Sequence, residues 1–93
     1  MISETFKFSI IVPVYNEDKT ILKVLENLNN LKKYYQNIQI IVINDGSRDD
    51  SLKILENNKS LIDVLINNPN NKGKGNAVKK GIQVAEGDYI TFQ

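Results

Sequence analysis

Ile40-Ile41-Val42-Ile43-Asn44-Asp45-Gly46-Ser47-Arg48-Asp49-Asp50-Ser51 is the stretch whose reading decides the fold. Four consecutive apolar β-formers describe a strand buried on both faces, because a half-exposed strand alternates. The run stops at Asn44-Asp45-Gly46, where short polar side chains and a glycine allow a sharp turn. Ser47 is then placed to cap a helix, with Asp50 three residues on and apolar Leu52, Ile54 and Leu55 following. Asp-Gly is also a β-hairpin turn signal. The polar, helically spaced segment 48–58 does not alternate, however, which favours strand, turn and helix. In an open α/β sheet, ligands sit at such turns, outside the carboxyl ends of parallel strands.

Toward the amino terminus, 6–14 (Phe-Lys-Phe-Ser-Ile-Ile-Val-Pro-Val) alternates and then becomes continuously apolar, as a strand entering a core does. Pro13 lacks an amide proton and marks the carboxyl end of that strand. A polar turn follows at 15–18, where Asn16 or Asp18 is able to cap a helix. In that helix Ile21, Val24, Leu25, Leu28 and Leu31 recur at three- and four-residue steps, one apolar stripe facing a sheet. Lys32, Lys33, Gln36 and Asn37 end it, and the second helix is expected over 48–57. Toward the carboxyl terminus, 61–66 (Leu-Ile-Asp-Val-Leu-Ile) predicts a third strand and 67–75 a polar loop. From Asn76 onward Ala77, Val78, Gly81, Ile82 and Ala85 form a narrow stripe of small residues able to pack close to a sheet. Gly87 is positioned to end that helix in a left-handed conformation, and 88–93 predicts a fourth strand.

The order is βαβαβαβ, with crossovers long enough to demand parallel pairing and right-handed connections. The fold class is therefore α/β: a Rossmann-like, open, mostly parallel sheet with helices on both faces, in one domain spanning 1–93. The three polar turns, 15–18, 44–47 and 67–75, all follow strands and gather on one edge of the sheet, where a ligand site is expected.

Composition narrows the chemistry. A net charge of +1 provides no global field toward nucleic acid or an acidic membrane. The 93 residues include no cysteine and no histidine, which removes disulfides, thiolate chemistry, cysteine zinc sites and the commonest general base. No apolar run approaches the roughly 20 residues of a membrane span, and 1–7 lacks the apolar core of a signal peptide. A cytoplasmic chain is expected.

Asp45 offers a carboxylate at a strand end, suited to accept from a base edge or from ribose hydroxyls; a capping or Asx-turn role is the plainer alternative. Tyr15 is able to stack on a base or simply to pack at the sheet edge. Gly73-Lys74-Gly75 before a helix is able to bring amides and an ammonium to a phosphate, though the spacing is neither a dinucleotide fingerprint nor a P-loop. Lys72, Lys74, Lys79 and Lys80 also suit a solvated helix face. Asp49-Asp50 has the look of a metal pair, but both are expected in a first helical turn, where acids favour the dipole.

Taken together, 9–17, 41–49, 71–77 and 85–90 resemble family 2 glycosyltransferases of the GT-A fold, in order and in spacing over nearly the whole chain. Lys72-Gly73-Lys74-Gly75 and the strand ending in Phe92-Gln93 look most like the polyprenyl-phosphate (dolichol-phosphate-type) sugar transferases. The resemblance implies a UDP- or GDP-linked sugar as ligand and polyprenyl phosphate as an acceptor. It implies that Pro13, Tyr15 and Glu17 line the pocket for base and ribose, that Asp45 binds the base, and that Gly73 and Lys74 border the nucleotide and its phosphates. In the family the fourth strand leads into an Asp-x-Asp motif holding Mg²⁺ or Mn²⁺. That motif falls after Gln93, so a nucleotide-binding half without metal or catalytic base is expected here, inactive alone and prone to self-association. In a longer protein it is expected at the inner face of the membrane. A stand-alone nucleotide-binding or interaction module on the same scaffold is the alternative. Asp45→Ala is expected to weaken nucleotide binding and spare the fold.

Overall fold

The structure, a computed structural model, describes residues 7–35 and 37–91. The expected strand start at Phe6, the helix-terminating Gln36, and the strand end at Phe92-Gln93 lie outside the described residues. The elements run β1 (Phe8–Val14), α1 (Ile21–Lys32), β2 (Ile38–Asp45), α2 (Ser51–Asn57), a 3-10 turn (Lys59–Leu61), β3 (Val64–Asn68), α3 (Lys74–Val84) and β4 (Asp88–Thr91). The four strands form one sheet in the order β3-β2-β1-β4, every pair parallel. The expected α/β architecture is thus observed.

Alternation along the two central strands divides the core between two faces. Ile10, Val12, Val14, Ile40 and Val42 pack with Ile21, Leu25 and Leu28 of α1 and Leu55 of α2. Ile11, Ile41 and Ile43 pack on the opposite face with Ala77 of α3. β2 is buried on both faces, as its unbroken apolar run requires. A Cβ on Gly81 would stand 2.5 Å from Ile11 Cγ2 and 3.0 Å from Ile43 Cδ1, so only glycine lets α3 lie this close to the sheet. The stripe on α1 is shorter than expected: Leu31, in the helix's last turn, is exposed.

Several local expectations are corrected. Ser47 caps no helix; α2 starts at Ser51, preceded by Asp50 without a side-chain cap bond. Neither Asn16 nor Asp18 caps α1, which follows Thr20. These residues instead zip the two loops together. Ser47 Oγ accepts from Asn16 N at 3.0 Å, Ser51 Oγ from Glu17 N at 2.8 Å, and Asn16 Oδ1 from Arg48 N at 2.8 Å. Asn16 holds a φ of 53°, a left-handed conformation that asparagine tolerates better than most residues. The third strand begins at Val64 rather than Leu61, because 59–61 turns and the Asp63 carboxylate takes Ile40 N and Lys32 Nζ, both at 2.7 Å. Gly87 has no positive φ; its value is proximity, since a Cβ there would collide with the backbone of Lys7.

Asp49 and Asp50 precede the helix instead of forming its first turn. Asp49 Oδ2 accepts from Asp18 N at 3.1 Å and Oδ1 from Ser51 N at 2.9 Å. Desolvation raises the Asp49 pKa, but the hydrogen bonds from Ser51 and Asp18 together outweigh it and hold the carboxyl below its ordinary value. A carboxyl depressed on folding stabilises above its unfolded pKa, and that contribution disappears as pH falls through the folded one. Urea unfolding of wild type and Asp49→Asn is therefore expected to show a wild-type advantage near neutrality that shrinks as pH falls below the ordinary aspartate range. An advantage independent of pH would assign the effect to packing.

Candidate functional site

The polar turns converge as the topology demands. The chain leaves β1 and β2 at the same edge of the sheet, α1 covers one face there, and α3 rises on the other. Between them lies a cleft of about 540 Å³, lined by Val12, Pro13, Val14, Tyr15, Glu17, Thr20, Ile21, Val24, Asp45, Asn71, Lys74 and Ala77. It sits where strand order reverses about β1, the switch point at which open α/β sheets bind ligands. Five of the six residues singled out in the sequence border it: Pro13, Tyr15, Glu17, Asp45 and Lys74. Gly73 lies one step outside the lining and is tied to it through Asp45.

Asp45 is the centre of this arrangement. It ends β2 in register with Asn68 of β3 and is 2% exposed. Its Oδ1 accepts from Asn68 Nδ2 at 3.1 Å and from Lys72 N at 3.0 Å, and its Oδ2 accepts from Gly73 N at 2.8 Å. The Asp45 carbonyl takes Asn71 Nδ2 at 3.3 Å. One carboxylate thus holds the loop between β3 and α3 against the end of β2. Asn68, 1% exposed, also accepts from Lys80 Nζ of α3. Gly46 permits the close approach: its φ is +70°, and a Cβ there would overlap the Asn70–Asn71 backbone.

On the other wall the exposed Tyr15 and Glu17 come from the loop after β1. Glu17 Oε2 accepts from Thr20 Oγ1 at 3.1 Å, and its carbonyl takes Ile21 N at 2.9 Å, so this wall is fixed to the start of α1. The cleft therefore combines an apolar floor, an exposed aromatic, two carboxylates and the ammonium of Lys74. Asn68 carries no motif that marked it, and only the polar character of 67–75 placed it at the site; Asn71 belongs to the 71–77 segment of the resemblance without a role of its own, and Thr20, just before α1, carried no signal.

The donor set does not fit a divalent cation. Among the described residues no three acidic, histidine or cysteine side chains converge to hold a metal. Of the two cleft carboxylates, Asp45 is occupied by three nitrogen donors and Glu17 accepts from Thr20. A hard cation needs several unencumbered oxygen ligands.

The two glycines at the start of α3 differ: Gly73 precedes the helix and Gly75 lies in its first turn. Gly73 has a φ of +92° with open space around its Cβ position, whereas Gly75 has neither a positive φ nor any atom within 4 Å. Gly73→Ala is expected to destabilise by about 1–2 kcal/mol through backbone strain. Gly75→Ala is expected to stabilise by about 0.5–1 kcal/mol as a better helix former. Equal losses in chemical denaturation would show that both glycines serve the turn.

Comparison with known proteins agrees with this geometry. The family described as Glycosyl transferase family 2 matches residues 9–93. An uncharacterized glycosyltransferase of Haemophilus influenzae is 42% identical over 86 residues, covering 90% of this chain and 34% of that protein. An undecaprenyl-phosphate 4-deoxy-4-formamido-L-arabinose transferase of Proteus mirabilis is 32% identical, covering 90% and 27%. Among solved structures, S. aureus TarS 1-349 in complex with UDP-GlcNAc superposes with a TM-score of 0.78 at 27% identity, covering 92% of this chain and 26% of that one. The chain spans about a third or less of the length of these relatives. A match running from the first strand to the last residue, over a sheet whose switch-point cleft gathers the family-like turns, makes this chain a member of glycosyltransferase family 2.

Proposed function

We propose that this chain supplies the nucleotide-sugar site of a glycosyltransferase whose donor is a nucleoside diphosphate sugar. The observation that carries the reading is the convergence of Pro13, Tyr15, Glu17, Asp45 and Lys74 on one cleft at the switch point. Tyr15 and the apolar floor suit the face of a base. The Asp45 carboxylate suits an imide N–H on the base edge, and Glu17 suits ribose hydroxyls. Lys74 and the amino end of α3 supply positive potential for phosphates. Gly73 borders the nucleotide by orienting that end of the loop.

The complex of TarS with UDP-GlcNAc supports a UDP-linked donor. The Proteus relative, named for undecaprenyl phosphate, supports a polyprenyl phosphate as acceptor of the whole protein. Among the described residues no helix is long and apolar enough to cross a membrane. A requirement for Mg²⁺ or Mn²⁺ belongs, on this reading, to acids outside these 93 residues.

Calorimetric titration of the chain with UDP and UDP-GlcNAc tests the proposal. Binding with a dissociation constant of about 0.1–1 mM is expected, as for a nucleotide held by one wall of a shared site. Addition of Mg²⁺ is expected to change it by less than about threefold, since no built cation site faces the diphosphate. Absence of heat with either ligand, or a strong Mg²⁺ dependence, contradicts the assignment.

A further inference from the structure

An ionised carboxylate has about four acceptor positions, two on each oxygen. On Asp45, Oδ1 has both filled, by Asn68 Nδ2 and Lys72 N, while Oδ2 has one filled, by Gly73 N. Asp45 borders the cleft yet is only 2% exposed, so a ligand meets a carboxylate with a single acceptor position to offer. Asn68 is the side chain that saturates Oδ1 from within the sheet, and its own oxygen accepts from Lys80 Nζ. That cation fixes the amide's orientation. Turning the amide over would set its oxygen against the carboxylate and its NH₂ against the ammonium, both unfavourable.

We propose that Asn68 and Lys80 are positioning residues that restrict Asp45 to one acceptor and thereby make the pocket select its base. The favoured edge carries a single imide N–H between two carbonyls, as in uracil. The disfavoured edge carries two adjacent donors, as in guanine. The inference rests on the reading of the cleft as a nucleotide site. Uracil's one N–H uses the remaining position on Oδ2. Guanine's two donors call for both carboxylate oxygens, and with Oδ1 saturated one of them stays unpaired at a buried site.

UDP and GDP share ribose and diphosphate, so their affinity ratio isolates the base. Calorimetry on the 93-residue chain is expected to show UDP bound about tenfold more tightly than GDP. Asn68→Ala frees a position on Oδ1, and the ratio is expected to fall below about threefold. Lys80→Met, on a half-buried helix position, is expected to narrow the ratio in the same direction and serves where Asn68→Ala fails to fold. Equal binding of UDP and GDP by the unaltered chain overturns the selection but leaves the nucleotide site standing. Binding of neither overturns the site itself. Parallel weakening of both nucleotides in the variants, at an unchanged ratio, reduces Asn68 and Lys80 to fold support and overturns the proposal.

Discussion

Asp45→Ala is expected to abolish measurable nucleotide binding and to lower stability by about 2–3 kcal/mol, the scale of losing charge-assisted bonds and orphaning a buried donor. The fold is not spared, because the carboxylate is as much a clamp as a ligand. Its removal leaves Asn68 Nδ2 unpaired at a residue 1% exposed and releases Lys72 N and Gly73 N. The latter two lie nearer solvent, where water replaces part of the bond, so Asn68 dominates the cost. Asp45→Asn, which retains an acceptor oxygen and the volume, is expected to lose less stability. Thermal or urea unfolding alongside calorimetry separates the effects. An Asp45→Ala variant of wild-type stability would mean that the loop after β3 is held by something other than this carboxylate.

Gly46→Ala is expected to cost about 3 kcal/mol or more, combining left-handed strain with steric overlap. The atoms a Cβ would meet are the backbone of Asn70 and Asn71, not the flexible end of a side chain. Relief therefore requires moving the loop that carries Asn71 into the cleft, so binding is expected to fall along with stability. Gly73→Ala, strained but uncrowded, is the control. If the two variants lose equal stability in urea, the contact between the turn after β2 and residues 70–71 is not tight.

These effects show which parts of the molecule were legible in the sequence. β2 announced itself because an unbroken Ile-Ile-Val-Ile run has one economical home, a central parallel strand, and the turn after it had to lie at the sheet's carboxyl edge. The same logic placed Pro13, Tyr15, Glu17 and Lys74 at that edge. Local spacing failed where partners are distant. Ser47 has the spacing of a cap, yet its hydroxyl is taken by the amide of Asn16, across the gap between two loops. Asp49 and Asp50 fit a first helical turn, but Asp49 accepts from the amide of Asp18. Leu61 continued an apolar run and so read as strand, although the bonds of Asp63 to β2 fix the start of β3 three residues later, at Val64. Asn68 was invisible for a related reason: its importance comes from register with Asp45 and from Lys80 one helix away, neither encoded in its neighbours.

On the proposed function, nucleotide binds at the carboxyl edge of β1 and β2, against the Asp45 clamp. Titrating UDP into the isotopically labelled chain and following backbone amide shifts tests it most directly. Saturable shifts are expected, concentrated at Tyr15, Glu17, Asp45, Lys72, Gly73 and Lys74. The amides of Lys72 and Gly73 are expected to move most, because they donate to the carboxylate that the base shares. Shifts confined to the opposite end of the sheet, around Gln39, Asp63 and Glu86, or no saturable shift at all, would contradict it.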